Sequence, residues 1–292
     1  MNGGGNGGDM IDRLEIDANG YTFTARAAGP ADGRRVLLLH GFPQTSWCWR
    51  AQLRALGEAG YRAVAPDQRG YSTGARPPEV IDYALGWLVS DILALADAME
   101  MDTFDLVGHD WGGMLAWLVA TFYTDRVRSV TVVSTPHPVA LGHALRGGDP
   151  QQANSIRSTD ALRQPNVPEK LLLGQDGSGT GLHSILVASG LPEADARVYT
   201  SVMAQPGAMN AALNWYRAMS VEDLVDLVPV EVPTLYVWSS GDAVLGRGAA
   251  EATAECVSGP YRFEILSGVN HWIPEVAPRQ LSQLLLSHLS TT

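Results

Sequence analysis

The residues best suited to covalent chemistry in this chain surround an aspartate between two glycines. The sequence reads G-H-D-W-G from Gly108 to Gly112, with Asp110 at the centre. Apolar runs on both sides are typical of a buried strand followed by a helix, and the flanking glycines suit the tight turn that exposes a nucleophile between them. A carboxylate in such a turn can attack an electrophilic carbon and form an ester. We therefore predict that Asp110 is a nucleophile.

Breakdown of such an ester requires a water molecule and a base that removes its proton. His271 in the run G-V-N-H-W is the predicted base, and Asp242 in the run S-G-D is the predicted acid that orients it. Both follow apolar runs, and both come after Asp110 in the order nucleophile, acid, histidine. Taken singly, each of the three has a structural explanation as a turn residue, a packed ring or a helix cap. Their shared order and strand-end positions favour catalysis.

Two backbone N–H groups are predicted to stabilise the oxyanion that forms when water attacks the ester. They belong to Trp111, directly after the nucleophile, and to Phe42, in the loop that follows an earlier strand. The side chains of both residues are also expected to line the substrate pocket, although Phe42 is as readily explained as a core aromatic residue. His40 and His109 flank the site, and we expect them to support the geometry of their loops.

These residues must be positioned by an alternation of strands and helices. The alternation predicts a doubly wound, mostly parallel α/β sheet, in which functional residues collect beyond the carboxyl ends of the strands. A hairpin is expected before the alternation begins, at about Leu14 to Ala27. The predicted strands are 35–40, 61–65, 104–108, 130–134, 234–239 and 261–266, and the predicted helices are about 49–60, 84–98, 111–123 and 278–289.

The pattern changes between about Val139 and Arg217, where short helical pieces are broken by glycine and proline. This change predicts a helical lid at residues 139–217, inserted into a core formed by residues 10–138 and 218–292. The glycine-rich stretch from Gly174 to Gly181 is expected to be a mobile loop of the lid. Residues 1–9, rich in glycine and asparagine, are expected to form a disordered tail.

Composition limits the partners of the protein. The 292-residue chain is 46% hydrophobic with a formal net charge of −11, so it can form a large core but lacks the basic patch that attracts nucleic acid or anionic membranes. A small, neutral, mainly apolar substrate fits better. Cys48 and Cys256 have no metal-ligand or disulfide spacing, and no apolar run approaches the roughly 20 residues of a membrane span. We expect a cytoplasmic enzyme without a metal or cofactor, and a homodimer is compatible with the sequence.

The same residues lie in segments that together resemble the epoxide hydrolase branch of the α/β-hydrolase superfamily, over about Leu14 to Leu289. The resemblance implies the α/β-hydrolase fold with an inserted helical lid, and the opening of an epoxide to a diol through an ester of Asp110 that His271-activated water hydrolyses. In that family two lid tyrosines bind and protonate the epoxide oxygen, and Tyr216 matches one of them. The matching segments are H-G-F-P from His40, D-Q-R-G-Y-S from Asp67, G-H-D-W-G-G from Gly108, S-T-P-H-P from Ser134 and N-W-Y-R from Asn214.

The second lid tyrosine of the family has no counterpart in this chain. The corresponding stretch, 157–165, reads R-S-T-D-A-L-R-Q-P and contains no aromatic residue. Three explanations are open. One tyrosine suffices, or another lid residue such as His183 or Tyr199 contacts the substrate in its place, or the substrate is not an ordinary epoxide.

Carbon–halogen hydrolysis and ligand binding compete with this interpretation. Haloalkane dehalogenases share the nucleophile and the following tryptophan, but their first loop usually carries asparagine where this chain has Phe42. Fluoroacetate dehalogenases resemble the H-G-F-P-Q start, completed here by Gln44, but arginine follows their nucleophile where this chain has Trp111. Because a lid tyrosine is missing, a small-molecule binding protein or a specialised non-hydrolytic enzyme on the same fold is the remaining hypothesis.

Overall fold

A computed structural model describes residues 11–148, 152, 159–219 and 227–292 of the chain. Its strands are β1 (Asp12–Ala18), β2 (Tyr21–Ala28), β3 (Arg34–Leu39), β4 (Tyr61–Pro66), β5 (Phe104–His109), β6 (Val127–Val133), β7 (Thr234–Ser239) and β8 (Tyr261–Leu266). They form one eight-stranded sheet in the order β1-β2-β4-β3-β5-β6-β7-β8. β2 pairs antiparallel with β1 and with β4, and every other neighbouring pair in this sheet is parallel. The predicted mostly parallel α/β sheet is confirmed.

The central parallel strands are almost continuously apolar, as is typical of strands covered on both faces. In β5 and β7 every residue is buried. β6 begins at Val127, earlier than the predicted start at residue 130. The predicted start is late because Arg128 and Ser129 interrupt the apolar pattern on which it depends. Ser129 donates a hydrogen bond to the Asp105 carboxylate of β5 (2.7 Å), so this polar pair is satisfied inside the sheet.

Helices follow most of the strands, and none of those in the described part of the chain combines the length and apolar character needed to cross a bilayer. Short 3-10 helices lie at Ser46–Trp49, Val80–Tyr83 and Thr253–Cys256. The α-helices are α1 (Arg50–Glu58), α2 (Leu85–Ala98), α3 (Trp111–Phe122), α4 (Pro138–Arg146), α5 (Val167–Leu173), α6 (Thr180–Ala188), α7 (Glu193–Met203), α8 (Ala208–Ala218), α9 (Arg247–Ala252), α10 (Ile273–Val276) and α11 (Pro278–Leu289).

Helices α4 to α8 lie between β6 and β7, in the sequence range predicted as the lid. Polar contacts tie α7 and α8 to the rest of the chain. On α7, the Asp195 carboxylate accepts a hydrogen bond from the Trp47 indole (2.8 Å) and pairs with Arg50 (2.9 Å). On α8, the Trp215 indole donates to the backbone oxygen of Arg69 (3.0 Å). These helices are therefore held against the loops at the carboxyl edge of the sheet.

The glycine-rich stretch predicted as a mobile loop is a loop up to Gly179, and its mobility stays a prediction. Gly174 and Gly179 have φ angles of 74° and 85°, which glycine adopts without steric cost, and α6 begins at Thr180. The division of the chain into core and lid at the stated limits stays a prediction. The predicted tail, residues 1–9, lies outside the described residues.

The close approach of α3 to β3 depends on a glycine. A Cβ at Gly112 would lie 2.2 Å from the carbonyl oxygen of Leu39. We expect Gly112→Ala to lower the free energy of unfolding by about 1–3 kcal/mol, because the helix must move away from the strand. Gly86→Ala in α2 is the control, since a Cβ there meets no atom within 4 Å; its better helix propensity should add about 0.5–1 kcal/mol. Urea unfolding measures both, and equal changes would contradict the prediction.

Candidate active site

Asp110 occupies the sharp turn between β5 and α3. Its backbone has φ 53° and ψ −121°, a conformation that costs a residue with a side chain about 1–3 kcal/mol. The turn closes tightly, because a Cβ at Gly108 would lie 2.1 Å from the carbonyl oxygen of Gly112. Thr135 steadies it by donating to the backbone oxygen of Asp110 (2.7 Å). Strain held by surrounding contacts at a carboxylate is typical of a functional turn.

The loop after β3 supplies a donor to this carboxylate. The Phe42 backbone N–H donates to Oδ1 of Asp110 (2.8 Å), as predicted for one of the two oxyanion donors. The loop comes this close because Gly41 has no side chain, since a Cβ there would lie 2.3 Å from the Asp110 Cβ. The second proposed donor, the Trp111 backbone N–H, lies in the first turn of α3, where N–H groups lack partners within the helix. Its role stays a prediction.

His40 and His109 lie beside these loops, fully buried. His40 Nε2 accepts a hydrogen bond from the backbone N–H of Gln68 (3.1 Å), and the Gln68 amide donates to the His40 backbone oxygen (2.6 Å). This reciprocal pair fixes the start of the Phe42 loop against the loop after β4. The expectation that His40 supports loop geometry agrees with these contacts.

His271 and Asp242 face Asp110 from the loops after β8 and β7. His271 Nδ1 lies 2.8 Å from Oδ2 of Asp242, and its Nε2 lies 3.5 Å from Oδ2 of Asp110. The other oxygen of Asp242 accepts hydrogen bonds from the backbone N–H groups of Val244 (2.8 Å) and Leu245 (2.9 Å). The structure thus brings the three predicted residues together in one line, with Asp242 held by backbone donors and His271 between the carboxylates.

The charges of this group shift its protonation equilibria. Burial lowers the pKa of His271, but the charge of Asp242 and hydrogen bonds to both carboxylates raise it to about 10. Burial raises the pKa of Asp110, but the His271 hydrogen bond and charge leave it below its ordinary value. At neutral pH, Asp110 is therefore an ionised nucleophile, and His271 carries a proton until one of the neighbouring charges is removed.

Tyr216, on α8, lies near the Asp110 carboxylate. Its ring makes edge contacts with Phe42 (5.4 Å between centroids) and with Trp111 (5.1 Å). Burial and the nearby Asp110 charge raise the pKa of its hydroxyl well above the ordinary value, against the opposing effect of a side-chain hydrogen bond from Trp111. The hydroxyl therefore keeps its proton at neutral pH and can donate it to a group held above Asp110.

The structure does not bring His183 to this group. On α6, Leu182 and Leu186 turn inward and are buried, which directs His183 towards the surface. There it lines an open cleft of about 340 Å³ together with serine and threonine side chains and Arg197. Helical spacing places it there, because Leu182 and Leu186 occupy the inward side of α6, and its substrate-binding role stays a prediction.

Tyr199 is also directed elsewhere, into a buried polar cluster behind the site. Its hydroxyl donates to the Glu275 carboxylate (2.6 Å), so it does not point at Asp110 as a replacement for the missing lid tyrosine. Gln44 donates to the same Glu275 oxygen (2.7 Å), and His109 Nδ1 contacts the Gln44 side-chain oxygen at 2.8 Å. In the sequence, Gln44 stands out only as part of the H-G-F-P-Q motif, and no pattern indicates a role for Glu275.

Within the described ranges, no group of three or more histidine, cysteine, aspartate or glutamate residues lies close enough to hold a metal ion. Cys48 and Cys256 are both free thiols.

The fold and this arrangement agree with the known proteins that the chain matches. A family described as alpha/beta hydrolase fold matches residues 34–278. The chain belongs to the α/β-hydrolase fold family. AB hydrolase superfamily protein YfhM of Bacillus subtilis is 34% identical over 94% of this chain and 96% of its own length. Epoxide hydrolase 3 of Xenopus tropicalis is 32% identical over 94% of this chain and 77% of its own length.

Solved structures give the same result. The crystal structure of Epoxide Hydrolase A from Mycobacterium thermoresistibile superposes with a TM-score of 0.81 at 27% identity, over 96% of this chain and 98% of that chain. The predicted membership of the epoxide hydrolase-like branch is confirmed, and the chain is an epoxide hydrolase-like α/β-hydrolase enzyme.

Removal of the Asp110 charge should lower the pKa of His271 from about 10. Loss of an opposite charge at this range lowers a histidine pKa by about 1–3 pH units, so Asp110→Asn should move the titration of His271 towards neutral pH. NMR detection of the imidazole signals across a pH series measures it. Asp97→Asn is the control, because Asp97 is an exposed carboxylate paired with Arg126 (2.6 Å). An unchanged His271 titration in Asp110→Asn would contradict the charge argument.

Proposed function

We propose that this α/β-hydrolase opens epoxides to diols through a covalent ester on Asp110. The observation that carries the proposal is the grouping around Asp110, with His271 Nε2 3.5 Å from Oδ2 and the Tyr216 hydroxyl near enough for the Asp110 charge to raise its pKa. Relatives named epoxide hydrolase at 32% identity support the substrate class. The triad and the tyrosine lie where such a reaction needs a nucleophile, a base and an acid.

In the first step, Oδ2 of Asp110 attacks a ring carbon of the epoxide, because Oδ1 is held by the Phe42 N–H. The carbon–oxygen bond of the ring breaks, and Tyr216 gives its proton to the departing oxygen. The ester has no charge, so His271 loses the neighbour that helped to hold its proton. That proton passes through solvent to the Tyr216 phenolate, and His271 becomes a neutral base.

In the second step, His271 takes a proton from water, and the hydroxide attacks the ester carbon of Asp110. The oxyanion is stabilised by the Phe42 N–H and, as predicted, by the Trp111 N–H. Asp242 stabilises the protonated His271. Collapse breaks the bond to the alcohol oxygen, which leaves with a proton relayed by His271 while the new carboxyl group of Asp110 loses its own. The diol departs and the starting charge state returns.

A small, neutral, mainly apolar epoxide suits this pocket best. Phe42, Trp111 and Tyr216 present aromatic surface around Asp110, and aromatic side chains bury apolar groups while Tyr216 supplies one polar contact. We further propose that α4 to α8 act as the lid that keeps bulk water from this surface. The reaction draws only on protein groups and water, so it requires no metal or cofactor.

Halide release is less well supported than epoxide opening. A departing halide needs N–H donors facing it, and the side chain of Phe42 has none. The Trp111 side chain is engaged with the Tyr216 hydroxyl, which is the group that an alkoxide needs and a halide does not. A role in ligand binding alone would leave the aligned triad without a purpose.

His271→Gln should trap the ester, because it removes the base of the second step and leaves Asp110 intact. After incubation with styrene oxide, mass spectrometry should find one added substrate on the peptide that contains Asp110. The double variant with Asp110→Asn is the control and should stay unmodified. If wild type forms the diol but His271→Gln stays unmodified, the covalent mechanism fails. If wild type does not turn over any of a panel of epoxides, the substrate class fails.

Tyr216→Phe should slow formation of the ester by about 10²–10⁴-fold, the usual effect of removing a general acid. Breakdown of the ester should be nearly unchanged, because Tyr216 gives no proton in that step. Single-turnover mixing with styrene oxide, followed by quenching and mass analysis, separates the two rates. Tyr123→Phe, at the end of α3, is the control. Equal slowing of both steps by Tyr216→Phe would assign the tyrosine a purely structural role.

A further inference from the structure

A chain of four buried polar side chains runs behind the active site, from the inserted helices to the triad. Tyr199 on α7 donates to Oε1 of Glu275 (2.6 Å), and the Gln44 amide donates to the same oxygen (2.7 Å). The Gln44 side-chain oxygen in turn contacts His109 Nδ1 (2.8 Å). Tyr199, Gln44 and His109 have no exposed surface, and Glu275 is 8% exposed. Polar groups this well buried must be matched to one another.

These four side chains contact the active site at two points. The backbone N–H of Gly41 donates to the Gln44 side-chain oxygen (3.2 Å), and the next residue, Phe42, is the donor to Asp110. His109 Nε2 lies 2.9 Å from the backbone oxygen of His271. The Gln44 side chain therefore touches both the oxyanion loop and the ring that supports the catalytic base.

The protons of these four side chains cannot satisfy every polar contact at once. Burial lowers the pKa of His109 to about 4, so its ring carries one proton at neutral pH. Both of its nitrogens nevertheless face oxygen atoms, one on Gln44 and one on His271. A neutral imidazole has a single N–H, so His109 can donate to only one of these two oxygens while the side-chain oxygen of Gln44 faces it. That orientation is set by Glu275, whose Oε1 requires a donor from Gln44 while its Oε2 has no partner in the described part of the chain.

We propose that Glu275 is a positioning residue of this active site, which acts through the Gln44 amide on the Gly41 N–H and on the proton of His109. When Glu275 is ionised, the Gln44 oxygen accepts from both the Gly41 N–H and His109 Nδ1, and the oxyanion loop is held. When Glu275 is protonated, it donates to the Gln44 oxygen and the amide turns over. The Gln44 nitrogen then donates to His109 Nδ1, His109 Nε2 donates to the His271 carbonyl, and the Gly41 N–H loses its acceptor.

The groups around Glu275 set the pH at which this change occurs. Burial raises the pKa of Glu275 to about 7, the hydrogen bonds from Tyr199 and Gln44 lower it, and the Asp195 charge raises it. Glu275 therefore gains its proton as the pH falls through about 7. From the opposite side, the Cys48 thiol stays protonated, because burial and the Glu275 charge raise its pKa well above the ordinary value.

Two further charges lie near this cluster. Arg50 on α1 pairs with Asp195 (2.9 Å), and Asp67, in the loop after β4, accepts from the Ser46 backbone N–H (2.6 Å). Both act on the pKa of Cys48, Arg50 lowering it and Asp67 raising it. The state of the Gln44 amide thus depends on Glu275 itself, with Asp195 and Tyr199 as the neighbours that adjust it.

This inference rests on the proposed function, because the oxyanion that the loop stabilises forms when the Asp110 ester is hydrolysed. Ester breakdown should be fast when Glu275 is ionised and should fall below about pH 7. Glu275→Gln can donate to the Gln44 oxygen at every pH, so it reproduces the protonated state. His271 must also lose its proton before breakdown, so the wild-type profile should combine a His271 inflection with a Glu275 inflection near pH 7. We expect Glu275→Gln to keep the first, to lose the second and to slow breakdown about 10–100-fold, as a small displacement of catalytic groups does. Ester formation should change much less.

Two matched variants separate this role from docking of the inserted helices. Asp195→Asn removes the charge that raises the Glu275 pKa, so the inflection should move to lower pH. Tyr199→Phe removes a hydrogen bond that lowers it, so the inflection should move to higher pH. Both variants delete a contact between α7 and the core, so a simple loss of docking would act in the same direction in both.

The measurement is single-turnover mixing of full-length enzyme with styrene oxide from about pH 5.5 to 8.5, with the Asp110 ester quantified by mass spectrometry. A Glu275→Gln profile that keeps both wild-type inflections, or equal slowing of both steps, would overturn the proposal. If Glu275→Gln does not fold by circular dichroism, the opposite shifts of the Asp195 and Tyr199 variants decide, and shifts in one direction overturn it. Absence of any Asp110 ester in His271→Gln is the separate result that removes the proposed function.

Discussion

One buried imidazole between two carboxylates sets the conditions that the rest of this structure must meet. His271 lies 2.8 Å from Asp242 and 3.5 Å from Asp110, and the protonated group carries one excess negative charge. Buried excess charge is costly unless hydrogen bonds meet it. Here backbone N–H groups do so, because Phe42 donates to Asp110 and the turn 244–245 donates to Asp242. The triad therefore depends on the paths of loops as much as on its own side chains.

Backbone donors can only be placed by the fold, which explains why the site lies at one edge of the sheet. The loops after β3, β5, β7 and β8 all end at the carboxyl edge, so their N–H groups and side chains can meet there. They approach closely only where a side chain is absent. A Cβ at Gly41 would overlap Asp110, and one at Gly112 would overlap Leu39. On α8, burial and the Asp110 charge raise the pKa of Tyr216 further above neutral pH.

Sequence patterns predicted the positions of residues that depend on one strand and the turn after it. Asp110, Asp242 and His271 each follow an apolar strand directly, so their meeting at one edge follows from a parallel sheet, and Tyr216 came from a four-residue resemblance. Packing between elements that lie far apart in the sequence could not be predicted. Which side of α6 and α7 turns inward depends on tertiary contacts, so the surroundings of His183 and Tyr199, a surface cleft and a buried polar cluster, could not be predicted. The contact between Gln44 and Glu275 could not be predicted for the same reason, because the two residues are 231 positions apart in the sequence.

The same electrostatics explain how one site can serve two opposite steps in the proposed reaction. His271 must not compete for the substrate while Asp110 is the nucleophile, and it must be a base once the ester exists. Two carboxylates hold its proton in the first state, with a pKa of about 10, and alkylation neutralises one of them. Formation of the ester therefore frees His271 to act as the base that hydrolysis of the ester requires. No movement of the triad is required, because the change is in charge and not in position.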